Sequence, residues 1–195
     1  MKRLLRLCAV ALLLAVGAQR ADAQHVAIKT NLLYDATGTV NLGTEIGLAP
    51  RWTLDMSSSF NDWKVYNGRE WKHFLTQPEA RYWFCHRFAG HFIALHAHYG
   101  RYNMGNIKNG IKFLGTNFEA LSDNRFDGWL LGAGVGYGYA VILSRHFNLE
   151  FELGVGYAYM EYDKYDWKTD KLLSRNDNHN YFGITKLNIG LSYIF

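Results

Sequence analysis

The chain has 195 residues, 49% of them hydrophobic and 16% aromatic, with 19 glycines and two prolines, Pro50 and Pro78. Of its formal charge of +4, three units sit at the N-terminus: Lys2, Arg3, Arg6 and Arg20, against Asp22, lie in the first 23 residues, and the other 172 carry 17 basic and 16 acidic residues. That near-balance excludes a nucleic-acid partner, which needs a concentrated basic face, and with no Pro/Ser-rich linker the length suits a single domain.

Residues 1–23 read as a secretory signal peptide. A basic start is followed by an apolar run from Leu7 to Gly17 and by Ala21-Asp22-Ala23, a small-x-small cleavage pattern. The run is shorter than the ~20 residues a spanning helix needs. After it Cys85 is the only cysteine, so no intramolecular disulfide holds the exported domain, residues 24–195.

Eight segments with a period of two follow, over residues 26–34, 41–48, 52–63, 73–85, 91–103, 127–143, 147–160 and 181–195. The pattern is plainest from Trp129 to Leu143. Odd positions there are bulky and apolar (Leu131, Val135, Tyr137, Val141), while even positions are mostly glycine (Gly132, Gly134, Gly136, Gly138). Helical periodicity cannot produce this. Next, Leu149, Phe151, Leu153, Val155, Tyr157 and Tyr159 share a face opposite Glu150, Glu152, Gly154 and Gly156. In the last segment Tyr181, Leu187, Ile189, Leu191, Tyr193 and Phe195 oppose Lys186, Asn188, Gly190 and Ser192. Small residues fit inside a narrow barrel, and aromatic residues at strand ends fit two membrane interfaces. The expected fold is therefore all-β: an eight-stranded antiparallel transmembrane β-barrel in an outer membrane, apolar face toward lipid. Lipid demands that every backbone group be paired, which only closure provides.

The connections fall into a short set (residues 49–51, 86–90 and 144–146) and a set of longer polar stretches, Lys64–Trp71, Met104–Arg125 and Asp163–Asn180, joined by the brief Asp35–Thr39. The short set belongs on the periplasmic side and the other outside. Phe195 at the terminus, with Tyr193 two before it, looks like the signal read by the barrel-assembly machinery.

Lys29-Thr30-Asn31-Leu32-Leu33-Tyr34, Asn41-Leu42-Gly43 and Trp52-Thr53-Leu54-Asp55, followed by residues 77–85 (QPEARYWFC) and 154–159 (GVGYAY), resemble an uncharacterised family of outer-membrane proteins from Bacteroidota. The resemblance covers nearly the whole exported part. It implies a Gram-negative outer-membrane barrel and, because members are often encoded near fimbrial genes, a link to fimbrial assembly. It supplies no catalytic residues.

Parity places Lys29, Glu45, Asp55, Glu79, Arg81, His96, His98, Glu150, Glu152 and Lys186 on the lumen face. Antiparallel pairing sets Glu45 opposite Asp55, Lys29 near Glu45, Arg81 close to Asp55 and the histidines beside Glu79 and Arg81. An eight-stranded lumen is just wide enough for side chains to fill, and charges removed from water must be paired. The expected role of the belt is thus structural, with no catalytic residue, no metal site and no cofactor. His96 and His98 share a strand face but are two ligands only. Glu150 and Glu152 suggest a glycosidase pair, but the lumen has no room for a sugar. The glycine run does not make a GxGxxG fingerprint, because Tyr137 and Tyr139 stand where the third glycine belongs. A lipid-modifying hydrolase needs Ser and His together on the outer face, and Ser58 has only the distant His91 there. Cys85 reads as an interfacial thiol. The function expected is a structural or surface-interaction role through the outer connections, with outer-membrane lipid and a surface or fimbrial protein as partners. The alternatives are a lipid-modifying enzyme in the outer membrane and a soluble periplasmic ligand-binding barrel with its faces reversed.

Overall fold

The computed structural model describes residues 26–65, 69–106, 112–113, 116–117 and 124–195. The expected leader, residues 1–23, lies outside the described residues, as does most of the stretch between Met104 and Arg125. Eight long strands follow one another: β1 (Val26–Asn31), β2 (Val40–Ala49), β3 (Trp52–Asn61), β4 (Arg69–Trp83), β5 (Gly90–Gly105), β6 (Asn124–Ile142), β7 (Phe147–Asp166) and β8 (Leu172–Ile194). Each pairs antiparallel with the next, and β8 pairs with β1, so the sheet closes into a ring.

The period-two sequence becomes alternating burial. On β5, Phe92, Ala94, His96 and His98 are buried while Ile93, Leu95 and Tyr99 are exposed. On β7, Glu150, Glu152, Gly154 and Gly156 are buried and Phe151, Leu153, Val155 and Tyr157 exposed. Charged groups face in and large apolar groups face out. The faces are not reversed, as a soluble ligand-binding barrel is expected to have them: Leu42 and Leu95 are more than 60% exposed, whereas Glu45 and Arg81 are almost wholly buried.

Glycines of β6 make room for large side chains of its neighbour β5. A Cβ on Gly134 would lie 2.7 Å from Nε2 of His96, and one on Gly138 would lie 2.2 Å from Cζ of Phe92. The bare face seen in the sequence is therefore filled from β5. At the end of the lumen nearer the short connections, Trp83, Phe88 and Phe92 pack with Ala27, Ala140 and Ile194 into an apolar floor. The Trp83 and Phe92 ring centroids are 4.6 Å apart.

Three expectations are corrected. First, β1 stops at Asn31 rather than Tyr34, because Leu32–Ala36 form a short helix, α1. The Asn31 side chain caps it, accepting a hydrogen bond from the Leu33 backbone N–H at 3.0 Å, and Asn41 donates to Asp35 at 2.8 Å. Second, Asp163–Asn180 is not an open loop: β7 and β8 stay paired out to Tyr165 and Leu172. These rungs are polar, so hydrophobic alternation does not mark them. Third, Tyr181 does not share the outward face of Leu187. The ladder shifts between Gly154↔Lys186 and Val155↔Ile184, leaving Thr185 as a bulge that reverses parity beyond it. Tyr181 pairs with buried Ala158, and Phe182 takes the outward position at 73% exposure.

Candidate functional site

The barrel wall brings the ten predicted lumen residues to one interior level, and none is more than 8% exposed. The ladder pairs Glu45 with Asp55, Asp55 with Glu79 and Glu79 with His96. These rungs carry the belt across four strands. Arg81 reaches inward from β4 to the middle. Its Nε donates to Glu79 at 2.5 Å, and its terminal nitrogens donate to Glu45, Glu150 and Glu152 at 2.9 Å each. Asp55 lies 3.9 Å away. One guanidinium thus ties strands from opposite sides of the ring, which its planar fork of five N–H donors permits and an ammonium would not.

Two lysines flank it. Lys29 bonds to Glu45 and lies 2.7 Å from Glu150 and 3.1 Å from Asp55. Lys186 lies 2.7 Å from Glu79 and 3.5 Å from Glu152. Hydroxyls complete the shell: Thr53 donates to Glu45, and Ser192 donates to Glu150 at 3.1 Å. The Arg81 guanidinium also sits over the Phe92 ring at 4.5 Å, a cation–π contact that joins the charged layer to the apolar floor.

His96 and His98 lie on the same level, their ring centroids 5.7 Å apart. His96 Nε2 is 2.8 Å from the Thr185 hydroxyl, and its Nδ1 is 3.8 Å from Glu79. The bulge at Thr185 re-aims that hydroxyl into the lumen. Among the described residues, no group of three His, Cys, Asp or Glu side chains is arranged to hold a metal ion.

Beyond the network, toward α1, a polar cavity of about 40 Å³ is bounded by Tyr34, Ser57, Ser59, Gln77 and Asn188. That is room for a few waters at most. With the aromatic floor on the other side, side chains occupy the middle of the lumen.

Among the described residues of the outer wall, Ser58 and His91 do not meet. Ser58 donates to Thr76 at 3.2 Å, and His91 meets the Tyr137 hydroxyl at 2.6 Å. Cys85 is exposed in a bend after β4. At the far rim a broad depression of about 490 Å³ is lined by Phe60, Phe74, Arg101, Tyr102, Asp127 and Trp129, among others.

Thr53, Trp83, Thr185 and Ser192 lie outside the belt of charged residues expected from the sequence. Parity alone points Thr53, Trp83 and Ser192 inward with their charged neighbours. Thr185 depends on the bulge, which no residue type announces.

A family model described as a protein of unknown function (DUF3575) matches residues 8–195. No curated protein and no solved structure matches the chain.

Proposed function

The chain belongs to the DUF3575 family, proteins of unknown function, and from that premise we propose that it is a structural or surface-interaction protein of a Gram-negative outer membrane. The observation that carries this reading is the outer wall. Aromatic residues mark one level near the short turns (Trp52, Tyr82, Tyr139, Phe147, Tyr193) and another near the opposite rim (Phe60, Phe74, Trp129, Tyr159). Between them most outward side chains are apolar, as with Leu131, Val135, Leu153 and Val155. The ten steps from Trp129 to Tyr139 span roughly 33 Å along the strand at ~3.3 Å each. A tilt of about 40° reduces this to about 25 Å, the height of the apolar band on outer-membrane barrels.

In this reading residues 1–23 direct export and Phe195 engages the assembly machinery. The filled lumen makes the barrel a rigid stake rather than a pore. Partner binding falls to the rim depression and to the outer connections, Met104–Arg125 and the β7–β8 hairpin among them. Aromatic rings beside Arg101 and Asp127 suit a protein surface, in keeping with a role beside fimbriae in Bacteroidota. The role is non-enzymatic.

Cell fractionation followed by electrophoresis of unboiled and boiled samples tests the placement. Recovery with outer membranes and a heat-dependent mobility shift is expected. A soluble periplasmic protein without that shift would overturn it.

A further inference from the structure

The charges of the lumen do not balance. Lys29, Arg81 and Lys186 supply three positive charges, whereas Glu45, Asp55, Glu79, Glu150 and Glu152 supply five carboxyl groups. Five ionised carboxylates would leave two negative charges in excess on side chains no more than 8% exposed, and one bound proton would halve that excess. An uncompensated charge in such a place is costly, and the usual remedy is neutralisation by a proton.

The carboxyls are not equivalent. Glu45 and Glu150 each face Lys29 and Arg81, and each accepts from a hydroxyl. Asp55 also lies beside both of those cations. Glu79 and Glu152 instead share one side of Arg81 and adjoin the single ammonium of Lys186, at 2.7 Å and 3.5 Å. Oε1 of Glu152 is buried with no hydrogen-bond partner, wedged where a Cβ on Gly136 would be 2.9 Å away. From β5 the pair faces His96, and from β6 only glycines. Two ionised carboxylates have no donor to offer each other; two that adjoin in a dry site hold a proton between them.

We propose that Glu79 and Glu152 form a proton-binding site inside the barrel, holding one shared proton at neutral pH. Glu152, acidic in sequence, then serves the folded network as a hydrogen-bond donor, while Glu150 two residues away stays ionised. The proton is lost when the barrel opens to water. The inference rests on the closed, filled barrel and not on its membrane placement, so a failed fractionation leaves it standing.

Infrared spectroscopy of the folded protein in detergent at neutral pH tests it. The carbonyl band of an un-ionised carboxylic acid is expected in the folded wild type and absent after thermal unfolding at the same pH. The band should disappear in Glu152→Gln, whose amide can replace the donor, with the unfolding midpoint unchanged. It should persist in Glu150→Gln, with a lowered midpoint. A folded wild type without the band would overturn the proposal, and a midpoint that then rose with sodium over choline would assign the missing charge to a bound cation. A band surviving in both Glu152→Gln and Glu79→Gln would overturn it too.

Discussion

Replacing Arg81 by alanine should destabilise the barrel more than any other single substitution in the charged network. The guanidinium makes four hydrogen bonds of 2.5–2.9 Å, one each to Glu45, Glu79, Glu150 and Glu152. Alanine would leave five carboxyl groups to two lysines and remove the cation over Phe92. Breaking a buried pair by deleting one partner costs about 3–5 kcal/mol, because the remaining charge stays desolvated. The four bonds cannot be summed on top of that, since protonation of the orphaned carboxyls absorbs part of the loss. With a urea slope of about 2 kcal/mol per molar, typical of small proteins, a loss of ~4 kcal/mol lowers the midpoint by ~2 M. The assay is urea titration in detergent, scoring the folded fraction by its unboiled electrophoretic mobility. Arg81→Lys should fall between the two, because an ammonium keeps the charge but cannot span four carboxylates. A midpoint for Arg81→Ala within experimental error of wild type would show that the network contributes nothing net, and the account of the lumen would be wrong.

Packing predictions follow from the close approaches inside the wall. Gly138→Ala should destabilise by about 1–3 kcal/mol through overpacking against Phe92, measured by the same titration; an unchanged midpoint would mean that the β5 side chains do not need the glycine face. Trp83→Ala should cost about 3–5 kcal/mol as a large buried aromatic and should also lose the Nε1 hydrogen bond to Thr53, 2.9 Å long. Sugar uptake by liposomes carrying wild-type protein should be nil, and uptake comparable to a porin would contradict a filled lumen. In the β7–β8 turn, the Thr169 hydroxyl and the Thr169 and Lys168 amides hold the Asp166 carboxyl below its usual range. Their support of the turn should be present above the ordinary aspartate pKa and fade as pH falls through the lowered one. Asp166→Asn should remove that pH dependence of amide exchange at Lys168 and Thr169. Deleting residues 107–123 should spare folding and abolish capture of a crosslinked surface partner; capture by the deleted protein would move the binding surface elsewhere.

Much of the fold was legible because period two is a strong signal when one wall is apolar and the other is small or charged. The Gly132–Gly138 run and Glu150-Phe151-Glu152 gave the inward face directly, and antiparallel counting from residues 49–51 gave the Glu45↔Asp55 rung. What escaped was set by events that residue type does not encode. Asn31 closes β1 because its side chain competes for the backbone of Leu33. Past Tyr162 the β7–β8 rungs leave the apolar belt, so pairing there rests on backbone hydrogen bonds and not on a hydrophobic face. The Thr185 bulge shifts β8 by one residue and reverses Tyr181 and Phe182. For the site, parity brought the charged residues to one level, but only the folded ring shows that Arg81 alone touches carboxylates from β2, β4 and β7.

The central claim, that the apolar wall faces lipid and the charged wall faces a filled lumen, is best tested residue by residue. In a Cys85→Ser background, nitroxides placed singly at Leu131, Val135, Leu153 and Val155 of protein in bilayers would be measured for collision with oxygen and with a water-soluble nickel complex. The account predicts high oxygen and low nickel accessibility at all four positions, deepest near the middle of the belt. High nickel accessibility along this row would place the apolar wall in water and contradict the account at its root.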